Sequence, residues 1–156
     1  MGNSPQICPF DLTRHATAFK ALNEAWLNRY FKVESFDQKV LENPQKEIIE
    51  PGGFIFMMTL KTRVIGTFAY LKEDIGVYEF SKMAIREDMQ GKGYGTQLMQ
   101  FALRFAEQHH WKKLLLFSNR KLENSIHLYQ KFGFEEVPLG NPPYKRGDIK
   151  MELKLG

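Results

Sequence analysis

Three glycines fall within five residues, at Gly91, Gly93 and Gly95, between an apolar run ending at Ile85 and an amphipathic run that begins near Tyr94. Glycine gives up more backbone freedom on folding than any other residue, so such a cluster at the mouth of a helix needs a use that offsets it. A helix that starts directly after a strand presents unpaired N–H groups and the positive end of its dipole. With side chains pared away, an anion can approach those groups, and phosphate is the usual guest. Two nucleotide patterns fail on spacing. The string G-x-x-x-x-G-K-[ST] is absent, and the dinucleotide fingerprint needs G-x-G-x-x-G where this chain reads G-x-G-x-G. The glycines alone leave a ligand-free strand-to-helix turn as an equal reading.

The flanking segments set the architecture. From His15 to Tyr30, apolar residues recur at Phe19, Leu22, Trp26 and Tyr30, which predicts a helix burying that stripe. A short helix over Phe36 to Leu41, ended by Pro44, follows. "FIFMMTL" and "VIGTFAYL" around "KTR" read as a hairpin, and "VYEFSKMAI" as a third strand interrupted by Glu79 and Lys82. The helix after the glycines carries Leu98, Phe101, Ala102, Phe105 and Ala106 on one face. "KKLLLF" reads as a strand buried on both sides, and "ENSIHLYQKFGF" as a helix with Ile126, Tyr129 and Phe132 inward, stopped by Gly133. "DIKMELKL" alternates strictly, as a strand with one wet face does. The expected fold is α/β, one domain over residues 1–156, with a mixed, mostly antiparallel sheet flanked by about four helices.

Composition removes several function classes. The net charge is +4, from 22 basic and 18 acidic residues, but the basic residues are scattered. No basic stripe or nucleic-acid module occurs, so no nucleic-acid partner is expected. No apolar run reaches the ~20 residues of a membrane span. "MGNSPQ" lacks a signal-peptide core, and Gln6 stands where N-myristoylation wants Ser or Thr. The single Cys8 excludes an intramolecular disulfide and fits a reducing compartment. A soluble, cytoplasmic protein is expected, without a membrane partner; a homodimer stays open. His15 and His127 have no metal-spaced partners, and His109 with His110 ends a helix, so no metal site is expected.

"QGKGYG" fits the Q/R-x-x-G-x-G/A pattern of the GCN5-related N-acetyltransferase family at Gln90, Gly93 and Gly95. "YEFSKMAI" resembles that family's fourth strand, and "LYQKFGF" its last helix with the Gly-Phe turn. The three motifs stand in the family's order and cover about half the chain. "LNEAWLNRYFKVESFD" and "YKRGDIKMEL" also look like one branch of it. The resemblance implies acetyl-coenzyme A as acetyl donor, with its pyrophosphate on Gln90, Gly91, Lys92, Gly93, Tyr94, Gly95 and Thr96. It also implies that the fourth and fifth strands splay, so that pantetheine lies along Met83, Ala84 and Ile85 as an added strand would. A backbone bulge is the usual device for opening such an edge.

The same resemblance places a general base at Glu79 and an acid for the leaving thiolate at Tyr129. Tyr78 and Phe80 beside Glu79 suggest an apolar setting that raises a carboxyl pKa. Backbone N–H groups near Met83 to Ile85 are the candidates to polarise the carbonyl. Cys8 lies far from the motifs in sequence, which favours direct attack in a ternary complex over an acyl-enzyme. One departure is clear: the asparagine that many members carry seven residues before the helix tyrosine is Leu122 here, leaving Asn119 and Asn124 as alternatives. For the acceptor, Trp26, Arg29, Tyr30, Phe31, Glu34, Tyr144 and Arg146 are candidate wall residues, the arginines suiting a carboxylate. The expected acceptor is a small-molecule amine such as an amino acid. A protein lysine or N-terminus, and a non-catalytic acyl-coenzyme A sensor, are the alternatives.

Overall fold

The computed structural model describes residues 4–156; the lipidation reading at the N-terminus rests partly on Met1–Asn3, outside the described residues. Seven strands form one sheet in the order β1-β2-β3-β4-β5-β7-β6. They are β1 (Gln6–Pro9), β2 (Phe54–Leu60), β3 (Arg63–Asp74), β4 (Val77–Ile85), β5 (Lys113–Ser118), β6 (Glu135–Val137) and β7 (Ile149–Lys154). Four α-helices flank it: α1 (Leu12–Tyr30), α2 (Ser35–Glu42), α3 (Tyr94–Gln108) and α4 (Glu123–Lys131). Every neighbouring pair of strands is antiparallel except β4 and β5. The α/β fold with a mixed sheet is therefore as expected.

Two strands escaped the sequence reading. β1 is four residues at one edge of the sheet and β6 three residues at the other, too short for either to show a period. The helix after Asp11 starts three residues before His15, because the Asp11 carboxylate accepts from the Arg14 N–H at 3.0 Å and caps it.

The alternation of each strand divides its side chains between two cores. Phe56, Phe68, Tyr70 and Phe80 pack with Leu98 and Met99 of α3, where the Tyr70 hydroxyl donates to the Ala102 carbonyl at 2.7 Å. Phe19, Leu27, Val40, Leu41, Ile55 and Met57 pack under α1 and α2. Each such fully buried side chain contributes roughly 1.5–3 kcal/mol.

The buried stripe of α1 differs from the one its periodicity suggests. His15, Phe19, Asn23 and Leu27 are buried, whereas Leu22, Trp26 and Tyr30 are half-buried. Trp26 and Tyr30 do turn inward, but at this end the sheet has no floor. β4 and β5 pair only from Val77–Lys113 to Glu79–Leu115, and both strands then run on without a partnership. The sheet forks there, as the splayed fourth and fifth strands require.

The cause of the fork lies in β4. Ala69 pairs with Ser81 and Thr67 with Ala84, so β4 spends three steps where β3 spends two. The extra residue is a bulge, and Lys82 within it has φ 54°. A lysine in the left-handed region is strained by about 1–3 kcal/mol, so surrounding contacts must hold it.

Candidate active site

The fork opens a cleft of about 460 Å3 between β4, β5, α1 and α4. A second hollow of about 250 Å3 runs along the glycine turn. Ile85, Gln90, Asn124, Ser125 and Leu128 line both, so the two are limbs of one groove.

The outer limb is built on backbone. Gly91 has φ 76° and Gly93, the cap residue before α3, has φ 84°. A Cβ on either would meet nothing within 4 Å, so the protein itself does not need the room. What demands glycine there is the left-handed backbone. That backbone turns the first N–H groups of α3 outward, and no side chain caps them. Gly95 differs: its φ is not left-handed, and a Cβ would stand 3.1 Å from the flexible end of Met83. The Gln90 side-chain amide donates to the Ile85 carbonyl at 3.0 Å, tying the turn to the end of β4 instead of reaching outward. Lys92 is exposed, Tyr94 lines the limb, and Thr96 sits in the first turn of α3. An uncapped helix start with open space before it suits a diphosphate.

The inner limb carries polar side chains among aromatic ones. Tyr129 packs against Phe80 and Phe134, at ring-centroid distances of 6.5 and 6.1 Å, and lines the cleft. Its hydroxyl has no hydrogen-bond partner among the described residues, and burial pushes its pKa up to about 12. At neutral pH it therefore holds its proton. Met83, Ala84 and Ile85 line the cleft along the unpaired reach of β4. Asn124 stands in the first turn of α4 and lines both limbs. Asn119 lines the inner limb but is engaged: its amide donates to the Arg146 carbonyl at 2.8 Å and its oxygen accepts from the Lys121 N–H at 3.0 Å.

Glu79 is not on the wall of the cleft. It is 3% exposed, on the face of β4 that carries Ser81 toward α1 and α2. Burial raises its pKa to about 7, Lys82 opposes that, Glu73 of β3 adds to it, and the Ser81 hydroxyl lowers it. Ser81 does face the cleft, and its hydroxyl shares a hydrogen bond of 3.3 Å with the Tyr144 hydroxyl.

Beside Ser81 lies a buried network that the sequence reading missed. The Lys82 ammonium donates to Asp37 at 3.0 Å and to the Tyr144 hydroxyl at 3.1 Å. Arg146 clamps the same carboxylate with Nη1 at 2.6 Å and Nη2 at 2.8 Å. The Glu34 N–H supplies a further bond at 2.9 Å. Burial pushes Asp37 up, but the Arg146 guanidinium and the Lys82 ammonium outweigh it and hold the carboxyl below its ordinary value. Burial lowers Lys82, with Asp37 opposing. This network holds the strained bulge. A lysine inside an apolar strand was its one sequence signal.

Trp26, Tyr30, Phe31, Tyr144 and Arg146 line the inner limb. Arg29 does not; it turns outward to Glu87 at 3.2 Å. Glu34 accepts from the Lys145 and Arg146 N–H groups, at 2.8 and 3.2 Å, and so buttresses the loop rather than the cleft. Asn23, buried on α1, also reaches the wall; a polar residue in the Phe19–Leu27 stripe was the available clue. Among the described residues no cluster of three or more His, Cys, Asp or Glu could hold a metal, and no helix is long and apolar enough to cross a membrane.

Comparisons with known proteins bear on the family and the fold. A family model described as the acetyltransferase (GNAT) family matches residues 19–134. The uncharacterized N-acetyltransferase YvbK of Bacillus subtilis (strain 168) is 26% identical over 104 residues, 65% of this chain and 67% of that protein. A GNAT-family acetyltransferase from Staphylococcus aureus superposes with a TM-score of 0.84 at 15% identity, over 97% of this chain and 99% of that one. Spermidine N-acetyltransferase from Vibrio cholerae, solved with CoA and spermine, gives a TM-score of 0.73 at 19% identity, over 96% and 95% of the two chains. At such identities the two structures speak for the fold alone.

Proposed function

The chain belongs to the acetyltransferase (GNAT) family, and from that premise we propose that it transfers an acetyl group from acetyl-coenzyme A to the primary amine of a small molecule, by direct attack in a ternary complex. The carrying observation is the fork, whose unpaired β4 edge leads straight into the left-handed glycine turn. Gly91 to Thr96 would hold the diphosphate, and Met83 to Ile85 the amide-bearing arm. The coenzyme supplies a thioester whose acetyl carbon is the electrophile. Cys8 sits on β1 at the sheet's edge, three strands from β4, which supports attack without an acyl-enzyme.

An alkylamine is only about one-thousandth neutral at pH 7, so a base must take its proton. We assign that proton to the Glu79 carboxylate, which receives it by way of the Ser81 hydroxyl or water because Glu79 lies behind the wall. Tyr129 gives its hydroxyl proton to the departing sulfur. The carboxylate form of Glu79 prevails above pH ~7, so kcat/KM is expected to fall as pH drops through that value. Lys82, Glu73, Tyr144 and, beyond Lys82, Asp37 are the charged or titratable groups around it. Glu79→Gln is expected to abolish this limb and lower turnover ~100–10,000-fold, leaving coenzyme affinity nearly unchanged. Persistence of the limb in the variant would remove Glu79 from the role.

Tyr129→Phe is expected to reduce kcat ~10–100-fold, at or below the usual range for a proton donor. The phenyl ring keeps the packing against Phe80 and Phe134, so the melting temperature serves as a control. Unchanged turnover would leave Tyr129 a core residue.

A small acceptor is favoured over a protein segment by the way α1 spans the fork. Arg29 bonds to Glu87 on the β4 side, and Lys121 donates to the Tyr30 carbonyl at 2.7 Å on the β5 side. Both ties hold α1 across the fork, where an extended peptide would need to lie. Thiol release from acetyl-coenzyme A with a panel of amines, against a lysine peptide, tests this. Turnover of the peptide alone would reverse it.

A further inference from the structure

The inner limb has a distinctive charge economy. The charges of Lys82, Arg146 and Asp37 in its depth are closed on one another. Asp37 accepts four bonds, from Lys82, from both Arg146 terminal nitrogens and from the Glu34 N–H, which fills its two oxygens. Glu79 apart, which does not line the cleft, no carboxylate oxygen in that depth is left to receive an ammonium. Glu123 also reaches the cleft, but it is exposed and adjoins Asn124, which lines the glycine-turn limb. The donors left on Lys82 and Arg146 are cationic.

The rest of this end is apolar and aromatic. Trp26 stands 5.4 Å from Tyr30 and 5.8 Å from Phe31, centroid to centroid. Aromatic faces can themselves attract a cation. Here the protein's own cations already stand over Tyr30, Phe31 and Tyr144, while Trp26 has none over it. Lys121 lies 4.1 Å from the Phe31 centroid and Arg29 5.2 Å from that of Tyr30. Arg146 and Lys82 stand 4.3 and 4.5 Å from the Tyr144 centroid. A second positive charge on the acceptor would meet Lys82, Arg146 and Lys121 on the wall and no unpaired buried carboxylate there.

Resting on the acetyl-transfer reading above, we propose that the acceptor is a monoamine with an aromatic or branched aliphatic body, and that the pocket rejects a second cationic centre. The body packs on Trp26, Tyr30 and Phe31, and the single amine turns toward Ser81. A polyamine lacks a counter-charge for its remaining nitrogens.

Phenethylamine, pentylamine and cadaverine make the test, the last two differing by one terminal ammonium. With acetyl-coenzyme A, kcat/KM for phenethylamine and pentylamine is expected to exceed that for cadaverine at least about tenfold, since an unpaired charge must be desolvated. Calorimetry of the three amines on coenzyme A-saturated protein reads the same preference without turnover. Absence of thiol release together with that binding preference would overturn the transfer reading and keep this one. Cadaverine bound or turned over as well as pentylamine would overturn this one, and so would no binding by any of the three. Lys121→Met is expected to narrow the pentylamine-to-cadaverine ratio roughly threefold or more by removing a rim cation. Trp26→Ala is expected to lower kcat/KM for phenethylamine about tenfold with coenzyme affinity unchanged. Where Trp26→Ala loses its fold, Tyr30→Leu reads the same loss; unaltered preferences in these variants also overturn the proposal.

Discussion

Replacing Asp37 by alanine is expected to destabilise the protein by about 3–5 kcal/mol, the usual loss when one member of a buried ion pair is removed. Asp37 is completely buried, and the side chain of its partner Lys82 is 3% exposed. Without the carboxylate, the Lys82 ammonium faces Tyr144 and Phe36 in an apolar site, and Arg146 loses both of its short bonds. The strained Lys82 backbone then loses the anchor that holds the bulge. Urea unfolding monitored by circular dichroism measures the shift in midpoint. Asp37→Asn keeps the shape while removing the charge, and should fall between the two. The pH dependence has a definite sign. A carboxyl held low in the folded state stabilises it above the unfolded pKa, and that contribution is lost as pH falls through the folded value. The wild type should therefore lose stability in acid at a slope that the alanine variant lacks. An unmoved midpoint in Asp37→Ala would mean that the network contributes nothing.

Gly93→Glu is expected to weaken coenzyme A binding by roughly 100-fold or more, because hydrogen bonds to a charged group are worth about 1.5–3 kcal/mol each and several are lost together. Two effects combine. The φ of 84° disfavours any side chain by ~1–2 kcal/mol. In addition, a carboxylate placed before the uncapped start of α3 occupies the seat of the diphosphate and repels it. Nothing in the protein lies within 4 Å of that Cβ, so packing is untouched and the melting temperature should move only modestly. Gly91→Ala, at φ 76°, isolates the backbone contribution without the charge. Isothermal titration with coenzyme A gives the comparison. Wild-type affinity in the glutamate variant would refute the role given to this loop.

Both predictions concern features that differ in how they could be read beforehand. The glycine turn, the helix behind it and the strand before it carry local signals: φ-permissive residues, a helical period and a short apolar run. The hairpin and the last strand were legible for the same reason. β1 and β6 were not, since three or four residues cannot display a period and hold their places through pairing with β2 and β7. Trp26 and Tyr30 were read both as part of the buried stripe of α1 and as candidate walls of the acceptor pocket, and they line the cleft where the sheet beneath the end of α1 has parted. Arg29 was expected at the acceptor site, yet one step around the helix from Tyr30 turns it out toward Glu87. Glu79, the expected base, is buried off the wall of the cleft, two residues before Ser81, which lines it.

What this sequence determines unaided is the identity of the segments and the place of the glycine turn, because both depend on residues adjacent in the chain. The pairing of charges at the inner end of the cleft was settled by tertiary structure. Asp37 meets Lys82 across 45 residues and Arg146 across 109, and no local pattern encodes a pairing at that range. Burial at that junction decides which charges are neutralised.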